Sequence, residues 1–380
     1  MTEVMPPFNQ HIINTDKSFN KHFQQNDSQM MDRSNNNGVT KHTKLNGNID
    51  DTTKTSAHSV SSQTDQTFRP RIVWSSVLKL SFIHIVGIYG MYNCATYAKY
   101  MTVVWYFAVA MGSSFGILCG AHRLWSHRCY KAHTSLRALL MVLQTLALQN
   151  DIYEWSRDHR VHHKYSETDA DPHNSNRGFF FSHMGWLMTK KHPQVIQKGK
   201  LLDMSDLMAD PVVRFQRKYY APLVLLIWGV IPTIIPCYFL SETLLISFSI
   251  NMTRYILSLH QTWLVNSAAH MFGFRTYDRD IGSRENQSVV YLSFGEGYHN
   301  YHHTFPYDYS ASEYGWKSNY NLATAFIDFF ALIGLAYDLK TTSDKSVADR
   351  KERTGDHMKV TLWPLWAAYL GRVLSGHNLT

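Results

Sequence analysis

The residues best suited to chemistry are three histidine clusters: His122-Arg-Leu-Trp-Ser-His127, His159-Arg-Val-His162-His163 and His299-Asn-Tyr-His302-His303. The second and third share the spacing HxxHH. On an α-helix, positions i, i+3 and i+4 fall within about 100° of arc, so the three imidazoles of each cluster can point into one space. The first cluster differs, because i and i+5 lie about 140° apart on an ideal α-helix. His122 and His127 therefore either straddle a helix end or serve different metals. His270 supplies a ninth imidazole, with Asn266 one turn earlier on the same face. So many imidazoles exceed what one ion can use, and two metals are implied. Neutral imidazole suits zinc, copper, iron and nickel. The absence of clustered thiolates argues against structural zinc, and the absence of HExxH against a zinc peptidase. The plain alternative, surface or core histidines, would serve for one HxxHH but not for this set.

The elements that must position these side chains are apolar runs of bilayer length. They cover about 72–92, 101–119, 221–240 and 243–265. The linker from about Asn93 to Tyr100 and the turn at Ser241–Glu242 are short, so the runs pair into two hairpins. The third carries Pro222, Pro232 and Pro236, tolerated in membrane helices where neighbours satisfy the freed backbone. Apart from Lys99 the two turns carry almost no basic charge. The opposite ends hold Arg69 and Arg71, then Arg123, Arg128 and Lys131, then Arg214, Arg217 and Lys218. That asymmetry predicts a cytosolic N-terminus, central loop and C-terminal region. All the histidine clusters then gather just outside the bilayer on one face. Arg254 and His260 lie at membrane depth and are expected to face the protein interior. Shorter apolar runs, about Leu136–Leu148 and Leu322–Ala336, read as helices lying on the membrane or packed on the core. The expected fold is therefore all-α and integral to the membrane, with four transmembrane helices in two hairpins and a cytosolic helical cap carrying the histidines.

Composition agrees. The slightly negative mean hydropathy of the 380-residue chain reflects dilution by a polar N-terminal stretch. Residues 1–67 lack apolar periodicity and read as a disordered tail, which makes His11, His22, His42 and His58 poor ligands. Residues 68–342 read as the membrane domain, and 343–380 as a C-terminal tail with an interfacial helix over Leu362–Leu374. The formal net charge of +8 fits nucleic acid or an anionic membrane surface. No nucleic-acid motif accompanies it, so nucleic acid is set aside as a partner. Cys94, Cys119, Cys129 and Cys237 form neither a disulfide framework nor a CxxC site.

An all-imidazole dimetal centre at a membrane surface points to oxidation of a lipid by O₂. An unactivated methylene is neither acidic nor polarised, so side-chain acid–base chemistry cannot remove its hydrogen, and a metal must supply the oxidant. No dinucleotide fingerprint occurs, so electrons must come from an external carrier.

The stretches GAHRLWSH (120–127), RDHRVHHKYSETDADPHN (157–174), GFFFSHMGWL (178–187), WLVNSAAH (263–270) and GEGYHNYHHTFPYDY (295–309) resemble the acyl-CoA desaturases of animals. The likeness is to the stearoyl-CoA 9-desaturase type and its insect relatives, and it runs from about Arg71 to Thr342. It implies insertion of a cis double bond into a fatty acyl-CoA with O₂ reduced to water. It implies two Fe²⁺ ions held by His122, His127, His159, His162, His163, His270, His299, His302 and His303, with Asn266 reaching a metal through water. It also implies cytochrome b5 and its reductase as electron source, and an endoplasmic-reticulum location.

The resemblance places Asn150, Arg157, Asp158, Lys190 and Lys191 against CoA, whose phosphates suit basic side chains. Gln149, Trp155 and Thr262 match residues at a bend in the acyl tunnel. Ala110 and Ser114 fall where the family closes its far end, and alanine leaves more room than the tyrosine of the mammalian enzymes. Among departures, Tyr298 replaces a tryptophan, Ser76 an asparagine, and His260 an asparagine; His260 is either a packed polar residue or part of the tunnel lining. Two rival readings are a fatty-acyl hydroxylase or other lipid monooxygenase on the same scaffold, and, more distantly, a multi-pass transporter. No internal repeat of the transporter kind is present.

Overall fold

The computed structural model describes residues 70–356; the polar segment 1–67 and the expected interfacial helix over Leu362–Leu374 lie outside the described residues. Helix α1 spans Trp74–Thr96, and α2 spans Tyr100–Phe115 before continuing as a π-helix over Gly116–Ser126. Next come α3 (Thr134–Ala147), α4 (Ile152–Tyr165) and the short α5 (Phe179–His183). Helix α6 (Tyr220–Phe239) is π-wound over Leu225–Val230. The long α7 (Leu244–Met271), the short α8 (His299–Thr304), α9 (Leu322–Leu332) and α10 (Asp344–Thr354) complete the main helices. The strand β1 (Lys131–Ala132) pairs antiparallel with β2 (Ala336–Tyr337), Lys131 opposite Tyr337.

Among the described residues three helices are long and apolar enough to cross a membrane: Trp74–Thr96, Tyr100–Ser126 and Tyr220–Phe239. The apolar face of α1, with Leu78, Phe82, Ile85 and Ile88, is exposed, as a lipid-facing surface would be. The fourth expected span, inside α7, has the length but not the uniform apolarity. Its run is broken by Asn251, Arg254, His260 and Gln261.

The reason is that α7 is the axis of the bundle and has little lipid-facing surface. Asn93 Nδ2 donates to Ser249 Oγ at 2.9 Å, and Thr253 Oγ1 donates to Gly87 O at 2.7 Å, tying α7 to α1. Close approach depends on Gly90, where a Cβ would lie 2.0 Å from Ser249 O. Arg254 is buried and donates to Asn251 Oδ1 and Leu146 O, so it faces the interior as expected. His260 lies between His84 and His183, at 3.2 and 2.9 Å, and is not part of the cavity wall. It is the packed polar residue.

The two shorter apolar runs form α3 and α9. Both bury apolar faces, through Leu136, Leu140, Ala323 and Ile327, in one core with Ile117, Leu118, Leu124 and Trp125 of the π-helical segment. The segment from residue 343, read as a tail, begins with a docked helix. Ser343 caps α10, Val347 packs with Tyr277, Tyr301 and Phe305, and Lys351 pairs with Glu313. The four cysteines are free, Cys119 and Cys129 being buried.

Candidate metal centre

The second histidine cluster rides on α4, which starts where the Asp151 side chain accepts from Glu154 N at 2.9 Å. The third occupies α8, too short to hold itself in place. Asn300 pins it by accepting from Tyr277 N at 2.7 Å and donating to Asp278 O and Ser283 O. The buried Glu285 adds a bond from Tyr301 N at 2.8 Å.

The first cluster straddles a helix end, the first of the two alternatives, since the helical segment ends at Ser126 and His127 caps it. The second, service to different metals, is corrected, since both rings fall in one group. Residues 116–126 are π-wound, and His127 N bonds His122 O at 3.1 Å, an i+5 to i bond. In that winding i and i+5 lie one turn apart, so His122 and His127 face the same space. Gly116 permits the segment to press on α3, since a Cβ there would lie 2.2 Å from Gln144 N.

All nine histidines converge in two groups. One holds His122, His127, His159, His163 and His302; the other holds His162, His270, His299 and His303, the ligand atoms of each lying within 4.8 Å of one another. Each HxxHH is thus divided: positions i and i+4 of α4 serve one group and i+3 the other, with the reverse division on α8. The Nε2 atoms face inward, with His122 to His302 at 2.9 Å, His127 to His159 at 2.8 Å and His270 to His299 at 3.0 Å.

Carboxylates hold the outer nitrogens. His122 Nδ1 lies 3.1 Å from Glu296, His162 Nδ1 2.9 Å from Asp171, and His270 Nδ1 2.8 Å from Glu167. An N–H donated outward leaves the Nε2 lone pair pointing inward. Burial raises the Glu296 carboxyl, but Arg123 and His122 outweigh it and hold it at about 2. Burial, then the neighbouring imidazoles, push His127, His159, His163, His299, His302 and His303 well below the ordinary histidine range. Neutral imidazoles with lone pairs converging at hydrogen-bond distance fit a cation in each group, and an all-nitrogen donor set suits iron among other transition metals. Glu167, Asp171 and Glu296 were missed as positioning residues. Their signal was present, since Glu296 precedes His299 by three residues and Glu167 and Asp171 follow His163 by four and eight, so acidic residues flank both HxxHH clusters.

A cavity of about 600 Å³ opens from the metal groups between α2 and α7. Its walls include His122, His159, His162 and His299, together with Asn266, Gln149, Trp155, Thr262 and Ser114. Gln149 Nε2 donates to Thr262 Oγ1 at 3.0 Å, and Trp155 stacks on His159 with centroids 4.9 Å apart. Ala110 is not among the walls. A second depression, of about 760 Å³, is lined by Arg157, Asp158 and Lys191 with Tyr153 and Lys200. Asp158 bridges the Arg157 and Lys191 cations. Asn150 and Lys190 are exposed and do not line it.

The fatty acid desaturase family model matches residues 98–325. The chain is 54% identical over 291 residues to a stearoyl-CoA desaturase of Sus scrofa, covering 76% of this chain and 80% of that protein. It is 52% identical to an acyl-CoA desaturase of Cyprinus carpio, covering 75% and 87%. To an acyl-CoA Delta(11) desaturase of Choristoneura rosaceana it is 49% identical, covering 77% and 87%. With two imidazole groups opening onto one cavity, and with this identity over most of its length, the chain belongs to the fatty acid desaturase family, among the acyl-CoA desaturases of animals.

Proposed function

We infer that this multi-pass membrane protein is an O₂-dependent, stearoyl-CoA 9-desaturase-like acyl-CoA desaturase that inserts a cis double bond into a fatty acyl chain. The overall change removes two hydrogen atoms from adjacent methylenes and reduces O₂ to two waters, consuming two electrons and two protons from outside. The observation that carries this reading is the continuity between the paired imidazole groups and a cavity walled by Gln149, Thr262 and Trp155, with Gln149 bonded to Thr262. Two Fe²⁺ ions bound by the nine histidines, with Asn266 through water, would supply the oxidant for hydrogen removal. The chain's own residues do the rest. Glu167, Asp171 and Glu296 hold the ring orientations, Trp155 braces His159, and the cavity excludes water and fixes which methylenes are presented.

Arg157, Asp158 and Lys191 form the natural seat for the CoA group at the surface depression, with Lys190 and Asn150 at its margin. The reading includes α7 as a fourth transmembrane helix whose polar side chains face its neighbours, both termini in the cytosol, and an endoplasmic-reticulum location. Electrons would come from cytochrome b5 and its reductase, docking on the face that carries the histidines. Expression in a desaturase-deficient yeast, with double bonds located by mass spectrometry, tests the proposal. An alkenoyl product is expected; an oxygenated product in its place would favour a hydroxylase.

A further inference from the structure

The acyl cavity ends earlier than the small residue at position 110 suggests. On α2 its walls stop at Ser113 and Ser114, and on α7 at Ser258 and Gln261. Between those ends Ser114 Oγ donates to Gln261 Oε1 at 2.8 Å, joining two helices across the channel. Ala110 lies one turn further along α2, where its carbonyl accepts from Ser113 and Ser114. Beyond it Tyr106 is buried, its hydroxyl 2.6 Å from Ser247 O and 3.1 Å from Pro232 O. The space that alanine leaves at 110 therefore lies on the far side of the Ser114–Gln261 bridge from the metal groups.

We propose that Gln261, held by Ser114, is the floor of the acyl pocket and sets the longest saturated chain this enzyme accepts. The proposal rests on the acyl-CoA desaturase reading. Gln261 precedes the metal-group residue His270 by nine positions on one helix, about 13 Å along its axis. Its Nε2 has no hydrogen-bond partner among the described residues. A methyl end pressed against that amide would strip its water and return nothing. A chain that stops short leaves the N–H groups hydrated. Bulk and polarity thus act together, and both come from one side chain outside the acyl-tunnel set that the resemblance marks.

The test uses the purified full-length enzyme and two variants, Gln261→Ala and Ser114→Ala, with saturated acyl-CoAs of twelve to twenty carbons. Product formation and ligand-induced thermal stabilisation are both measured, the second reading binding without turnover. Each buried methylene is worth about a fourfold gain in affinity. Gln261→Ala is therefore expected to move the preferred length up by two or more carbons and to raise kcat/KM for the longer chains roughly tenfold. Ser114→Ala, which frees the amide to swing aside, moves both readouts in the same direction by less. Either variant, folded and active, with an unchanged length preference overturns the floor. Failure of the wild-type chain to form any alkenoyl product would instead overturn the desaturase reading itself.

Discussion

His270 Nδ1 meets the Glu167 carboxylate at 2.8 Å, across 103 residues of chain. The contact joins the end of α7 to the loop after α4, and it fixes which imidazole nitrogen is left for a metal. Carboxylate partners of this kind commonly change metal affinity by roughly 10- to 100-fold. Glu167→Gln should therefore release metal to a graded series of chelators at correspondingly weaker chelator strength, with the fold unchanged by circular dichroism. Unaltered retention would reduce Glu167 to a surface partner.

His162 and His163 are neighbours in sequence but belong to different groups. His163→Ala should lower bound metal from about two per chain to about one, and His162→Ala should do the same at the other group. The double variant should bind almost none. Elemental analysis of purified protein reads this directly. A full complement in either single variant would contradict the two-group assignment.

Burial raises the Glu285 carboxyl from 4.5 to about 8. The sign follows from linkage. Between these values the unfolded chain has lost the proton that the folded chain keeps, so stability falls as pH rises, by up to about 1.4 kcal/mol per pH unit. Above about pH 8 the dependence from this group ends. Glu285→Gln keeps an acceptor for Tyr301 N and removes the titration. The variant's thermal midpoint in detergent should therefore decline less than that of the wild type from pH 5 to 8. Parallel curves would show that Glu285 is already ionised in the folded protein.

Two glycines should respond oppositely to alanine. At Gly90 a new Cβ would lie 2.0 Å from Ser249 O, whereas at Gly229 nothing lies within 4 Å. Gly90→Ala should cost roughly 1–3 kcal/mol by parting α1 from α7. Gly229→Ala should be neutral or slightly stabilising, because it removes only chain freedom. Thermal aggregation midpoints of the two variants decide it, and equal values would mean that α1 and α7 are not tightly joined at Gly90.

The histidines were legible because metal ligation restricts residue type as well as position. Few side chains can serve, so eight imidazoles in three ordered clusters stand out without any knowledge of the fold, whereas His270 stands alone in the chain. The apolar runs of α1, α2 and α6 were legible for a similar reason, since lipid contact demands uniform apolarity. The run expected as a fourth span, in α7, does not show that uniform apolarity, because a helix packed against its neighbours can carry Asn251, Arg254 and His260.

What the chain determined by itself was the histidine inventory, the run lengths and the family, all properties of residue type and local order. Tertiary structure decided the rest. The π-winding of 116–126, which brings His122 and His127 together, depends on how that segment packs on α3 and α4. The division of each HxxHH between two metal groups depends on how α4 and α8 face each other. The Ser114–Gln261 contact joins residues 147 positions apart, and nothing near either one foretells it. Such pairings arise only when separate helices dock, because the distance between two side chains across a bundle is set by packing rather than by their spacing along the chain.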